Sequence, residues 1–167
     1  MTKLFNERVF SPERAIKIAE ELNQKGKRIV LVGGCFDIIH KGHILFLKKA
    51  KDEGDFLFVF LESDKKVREL KGYGRPINPQ EDRAAVLSGL RFVDGIIMLP
   101  KMTSNIQYDR LITQIKPAII AVTEGDPNLK QREEQAGIAG GKIKSVTKRI
   151  SYSTTKTLAQ LPQKTSK

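Results

Sequence analysis

Six consecutive apolar residues, Phe56–Leu61, set the strongest constraint on what this chain can fold into. A strand in a half-exposed sheet alternates apolar and polar side chains, so an unbroken run belongs to a strand covered on both faces. Ile29–Val32, Ile96–Leu99 and Ala118–Val122 share that character, and Lys142–Val146 reads as a weaker fifth strand. Stripes at helical spacing lie between them. Ser11-Pro12-Glu13 offers a cap, a first-turn proline and an early acid ahead of Ala15, Ile18, Ala19 and Leu22, and Gly26 is placed to end that helix. Ile44, Leu47 and Ala50 mark a helix over about Lys41–Glu53. Asn78-Pro79-Gln80-Glu81 opens another, with Asn78 as its cap, and Tyr108, Leu111, Ile112 and Ile115 form one that Pro117 stops. Two more are expected, around Leu129–Ala136 and from Ser153, whereas the polar stretch Glu62–Pro79 reads mostly as loop. Strands alternating with helices predict a single α/β domain with a five-stranded parallel sheet covered by helices on both faces. It extends over residues 1–162, including an N-terminal helical extension at 1–27, and 163–167 form a loose basic tail.

Composition narrows the partners. Lys and Arg number 30 against 19 Asp and Glu, a net charge of +11. With 40% hydrophobic residues the chain is too apolar for disorder, and its one cysteine, Cys35, excludes an intrachain disulfide. Met1–Phe10 is interrupted by charges and lacks a secretory apolar segment, and no run approaches a membrane span. A cytoplasmic protein with no membrane partner is expected. A basic balance suits anions, whether nucleic acid, acidic lipid or small phosphates. A nucleic-acid-binding module would show a basic face with interleaved aromatics or a known motif, and neither is evident, so no nucleic-acid partner is expected.

Ligands of open α/β sheets bind at the carboxyl ends of strands. The first such end carries Gly33-Gly34-Cys35-Phe36-Asp37-Ile38-Ile39-His40-Lys41-Gly42-His43. Neither a dinucleotide fingerprint nor a Walker A loop is present. The segment instead holds the chain's two histidines three residues apart at a loop-to-helix junction, with Gly42 opening the backbone between them. A helix start attracts phosphate, and two imidazoles there can donate hydrogen bonds to charge building on a phosphoryl oxygen. Such a pair also arises as chance surface neighbours or as metal ligands. No carboxylate stands at the spacing of a metal motif, and the preceding glycines favour phosphate.

This segment resembles the signature of the cytidylyltransferase-like nucleotidyltransferases. Ile150-Ser151-Tyr152-Ser153-Thr154-Thr155-Lys156 is similar to their late Ile-Ser-Thr-Thr at a helix start. Leu70-Lys71-Gly72-Tyr73-Gly74-Arg75-Pro76-Ile77-Asn78-Pro79, followed by Glu81 and Arg83, looks like the heptose 1-phosphate adenylyltransferase domain of the bacterial ADP-heptose pathway. Arg91-Phe92-Val93-Asp94 is similar to the Arg-Tyr-Val-Asp element of cytidylyltransferases. Two departures stand out. Thr123-Glu124-Gly125-Asp126-Pro127 replaces the Lys-Gly-Gly-Asp-Tyr of the heptose group, and Lys156 stands where that group usually has Asn. No sugar kinase domain of the bifunctional heptose enzymes is seen, so a stand-alone transferase is expected.

The resemblance implies a Rossmann-like fold and transfer of a nucleoside monophosphate from ATP or CTP to a phosphorylated small molecule. A sugar 1-phosphate such as heptose 1-phosphate is the leading acceptor, and glycerol 3-phosphate or another alcohol phosphate is the alternative. His40 and His43 would stabilise the α-phosphate, with Lys71 contacting phosphates from the opposite side. The backbone of Gly34, Cys35 and Phe36 would lie along the triphosphate beside Gly42, and Ser153, Thr154 and Thr155 would hold the β- and γ-phosphates. Arg83 and Arg91 would either bind nucleotide phosphate or pair with Glu81 or Asp94. Asp37 and Asp94 would shape the site. Mg²⁺ would arrive with the triphosphate, held by phosphate oxygens and water rather than by protein ligands. Relatives are commonly dimers, so a homodimer is the implied assembly. Nine Lys and Arg against three Asp and Glu, a net +6, lie from Asp126 onward, clustering charge near the Ser-Thr-Thr motif.

Overall fold

The computed structural model describes residues 7–148. In chain order these form β1 (Val9–Phe10), α1 (Pro12–Gln24), β2 (Ile29–Gly34), α2 (Lys41–Lys51), β3 (Phe56–Leu61) and α3 (Asp64–Lys71). They continue with α4 (Gln80–Ser88), β4 (Gly95–Met98), α5 (Asn105–Ile115), β5 (Ile119–Glu124), α6 (Leu129–Ile138) and β6 (Lys142–Lys148). The six strands make one sheet in the order β1-β4-β3-β2-β5-β6, and every pairing is parallel.

Solid apolar strands become two apolar faces. Ile29 and Leu31 of β2 and Phe58 and Phe60 of β3 turn one way, where Ala15 and Ala19 of α1, Leu111 and Ile115 of α5 and Ala136 of α6 cover them. Val30, Val32, Leu57, Val59 and Leu61 turn the other way, under Phe46, Leu47 and Ala50 of α2 and Ala84 and Leu87 of α4. Period-2 alternation inside an all-apolar run therefore feeds two separate helix layers.

Local grammar accounts for most boundaries. The Ser11 side chain caps α1 by accepting from the Arg14 N–H at 3.3 Å, and Gly26 leaves the helix at φ +67. The structure differs from expectation in three places. The sheet has six strands rather than five, because Val9 and Phe10 add a two-residue edge beside β4, too short to leave a period in the sequence. Glu62–Pro79 contains the two-turn helix α3, started by the Ser63 side chain accepting from the Lys66 N–H. Only Val67 of that helix is buried, so it carries no apolar stripe. Asn78 does not cap α4; its side chain donates to the Asp37 carbonyl at 2.9 Å. The helix expected from Ser153 and the tail at 163–167 lie outside the described residues.

Candidate active site

The chain runs β2 to β3 to β4 on one side of β2, then crosses to place β5 on the other. At that switch point the carboxyl ends of β2 and β5 lead to connections on opposite sides and leave a crevice. A cleft of about 580 Å³ opens there, reached by the β2–α2 loop, the end of β3, α3, α5 and the start of α6.

The β2 end is shaped for close approach. A side chain at Gly34 would place its Cβ 2.9 Å from the Phe36 ring, so this position needs glycine. Phe36 holds φ +45, a conformation uncommon for a non-glycine residue, and its buried ring leans on His43 at 5.2 Å. The backbone of Gly34, Cys35 and Phe36 thus lines the cleft beside the histidines. Burial pushes the Cys35 thiol up, which leaves it a poor nucleophile.

His40 is the N-cap of α2, its Nδ1 accepting from the Gly42 N–H at 3.1 Å. That bond assigns the proton of the neutral ring to Nε2, leaving an N–H donor. The His43 ring stacks on His40 with centroids 3.9 Å apart. Burial first, then the neighbouring imidazole, pushes His43 down to about 4, only partly offset by the Ile38 backbone, and burial lowers His40 as well. His43 Nδ1 is buried without a hydrogen bond of ordinary geometry among the described residues. At neutral pH both rings are uncharged at a helix start, and His40 holds its Nε2–H ready for an oxyanion.

A clamp holds this loop. Asp37 is buried and accepts from Arg75 Nε at 2.6 Å and from the Ile77 and Asn78 N–H groups at 2.9 and 3.0 Å. Burial alone would raise its pKa, but the Asn78 and Ile77 N–H groups and Arg75 together hold the carboxyl below its usual range. Asp37 accordingly shapes the loop. Arg83 is 1% exposed, and its guanidinium donates to the carbonyls of Asn78, Cys35 and Glu62 and to the Asp64 carboxylate. This corrects the phosphate role considered for it, because its donors are engaged by the protein frame. Lys71 ends α3 and lines the cleft with Arg75.

Arg91 and Asp94 are not brought to the cleft. Both precede β4, at the amino ends of the parallel strands, and Asp94 accepts from Lys51 Nζ and the Leu57 N–H, both at 2.7 Å. Arg91 is exposed there. Asp94 therefore fastens α2 to the sheet instead of shaping the site. Ser153, Thr154 and Thr155 lie outside the described residues.

Sequence reasoning overlooked the opposite wall. Glu62, the first residue beyond β3, lines the cleft and takes the Tyr108 hydroxyl on both oxygens at 2.9 and 3.0 Å. Burial raises the Glu62 carboxyl despite Tyr108, Lys66 and Arg132. Arg132 of α6 reaches back to Asp126, its Nε 3.0 Å from Oδ2. The available signal for Glu62 was a charge placed directly after a solid strand. Arg132 had none beyond its helix.

A doubly wound parallel sheet with a two-histidine helix start at its switch point defines a nucleotide-binding α/β protein built for phosphoryl chemistry. A family model described as cytidylyltransferase-like matches residues 31–157. The chain belongs to that family. It is similar to the bifunctional protein HldE of Wolinella succinogenes, 48% identical over 72% of this chain and 24% of the relative. It is likewise similar to the HldE of Aliivibrio salmonicida, 36% identical over 88% of this chain and 30% of that protein. The chain thus spans less than a third of the length of these relatives. The lipopolysaccharide core biosynthesis protein of Thermoplasma volcanium superposes with a TM-score of 0.60 at 26% identity, covering 77% of this chain and all of that one. A pantoate–β-alanine ligase from Francisella tularensis shares the fold, with a TM-score of 0.63 at 17% identity over 86% of this chain and 68% of its own. Among the described residues no helix is long and apolar enough to cross a membrane.

Proposed function

We propose that the protein transfers a nucleoside monophosphate, adenylyl from ATP, to a sugar 1-phosphate of the heptose class and releases pyrophosphate. The observation that carries this reading is the stacked, uncharged His40–His43 pair at the start of α2, set against the glycine end of β2 at the switch point. Similarity to HldE and the Leu70–Pro79 segment support the adenylyl donor and the sugar phosphate acceptor. An oxygen of the acceptor phosphate attacks the α-phosphorus, the bond from that phosphorus to the bridging oxygen breaks, and its electron pair departs with pyrophosphate. No group on the enzyme is alkylated or phosphorylated. The protein contributes position and charge. His40 Nε2–H and His43 donate to the non-bridging α-phosphate oxygens, and Lys71 approaches from the α3 side. Ser153, Thr154 and Thr155 are assigned the β- and γ-phosphates on the strength of their motif. Magnesium would come with the triphosphate, carried by its oxygens and water.

The test is pyrophosphate release with ATP and CTP against heptose 1-phosphate, other sugar 1-phosphates, glycerol 3-phosphate and phosphocholine. ATP with a sugar 1-phosphate is the expected productive pair. His43→Ala is expected to lower kcat about 100-fold, the scale of losing one oxyanion donor. Silence with every pair overturns the reading, and unchanged activity in His43→Ala overturns the site. CTP stays in the panel because Lys156 follows the Ser-Thr-Thr motif as it does in cytidylyltransferases.

A further inference from the structure

The chemistry above leaves one wall of the cleft unused. On the side of α5 and α6, Glu62 shares both oxygens with a single donor, the Tyr108 hydroxyl. A carboxylate has about four acceptor positions, so Glu62 keeps capacity for two further donors from the cleft. Arg132 is braced through Nε by Asp126 and keeps its two terminal nitrogens. One of these lies 3.6 Å from where a Cβ of Gly33 would stand, directly over the end of β2. Arg132 also borders the smaller pocket beside β5, so it stands between two chambers. The floor of the larger one is apolar, with Phe60 and Ile112.

We propose that this wall is the acceptor subsite, in which Glu62 and Tyr108 bind vicinal hydroxyls of a phosphorylated sugar and Arg132 pairs with its phosphate. Charge decides between a polyol and a cationic alcohol phosphate such as phosphocholine. Glu62 lies within electrostatic reach of Lys66, Arg132 and Arg83, so the wall has no surplus negative charge to attract an ammonium group. Hydroxyls need only acceptors, the phosphate needs the guanidinium, and a sugar ring offers C–H faces to the apolar floor. Arg132 between the chambers puts the acceptor phosphate beside the donor's α-phosphate.

The subsite rests on the transferase reading, and the test separates the two. Wild type, Glu62→Gln, Arg132→Gln and Arg132→Lys are compared for KM of a sugar 1-phosphate and of the nucleotide. Circular dichroism checks folding, and saturation-transfer NMR follows binding of the sugar 1-phosphate alone. Glu62→Gln is expected to raise the acceptor KM about tenfold, as weakening charge-assisted hydrogen bonds does, with the nucleotide KM within about twofold. Arg132→Gln has the same signature, and Arg132→Lys recovers part of it. If Glu62→Gln fails to fold, the two Arg132 variants decide. A nucleotide KM that rises instead, or acceptor KM values unchanged in folded variants, overturns the subsite and leaves the transferase reading standing. Should wild type turn over no acceptor, the transferase reading falls and binding alone judges the wall. A sugar 1-phosphate signal weakened by Glu62→Gln or Arg132→Gln supports it; a signal absent from wild type, or equal in all folded forms, overturns it.

Discussion

At the scale of single residues, the histidine pair works because it is uncharged. Two imidazolium rings with centroids 3.9 Å apart would repel, and burial already disfavours the first charge. The effect on stability follows from linkage. As pH falls through the ordinary value of 6.5 the unfolded chain binds a proton at His43, whereas the folded chain does not until about 4. Stability contributed by the neutral ring is complete above pH 6.5 and is lost as pH falls toward 4, on the order of 3 kcal/mol in all. Asp37 adds its own loss only further down, since its carboxyl is held below the usual range. Urea midpoints measured from pH 7 to 4.5 should therefore fall in wild type and fall less steeply in His43→Gln. The pair itself was legible because its motif is local, spanning His40 to His43. Glu62 and Arg132 were not, because their roles come from contacts such as that of Tyr108, 46 residues away from Glu62.

Elements were legible in proportion to how much apolar surface they bury. β3 matches its solid run residue for residue, and α1 begins where Ser11-Pro12 places it. α3 hides because it rests on Val67 while Leu70 is 55% exposed, so capping rather than an apolar stripe defines it. Two serines test what that short helix does. Ser11 caps α1 and Ser63 caps α3, each accepting a backbone N–H at 3.3 Å. Replacing either by alanine is expected to cost about 1 kcal/mol in urea denaturation. Their effect on turnover should differ, because α3 carries Lys71 into the cleft whereas no residue of α1 lines it. Steady-state kinetics should show Ser63→Ala slowed several-fold more than Ser11→Ala; equal rates would detach α3 from catalysis.

Over the whole molecule, strand character directed attention to the carboxyl end of the sheet. Solid strands imply parallel neighbours, parallel neighbours imply crossover helices, and the strand-to-helix loops then gather along the carboxyl ends. The edge β1 and the reach of Arg132 across α6 were invisible, since neither leaves a pattern in its own segment. Charge was legible in amount more than in purpose. Lys142, Lys144 and Lys148 spread along β6, where Lys144 pairs with Glu53 at 2.6 Å instead of facing the cleft floor.

Arg83 gives that rim its mechanical character. One buried guanidinium spans the carbonyls ending β2 and β3 and the one before α4, so three loops distant in sequence share a single fastening. Replacing it with methionine strands three carbonyls, at an expected cost of about 3 kcal/mol. Amide hydrogen exchange should then show residues 35–37, 62–64 and 77–79 losing protection together rather than one loop at a time; independent loss would show separate fastenings. The rim resembles an arch more than a set of doors. A ligand entering such an arch meets walls already set at their working span, and it must fit that opening instead of reshaping it.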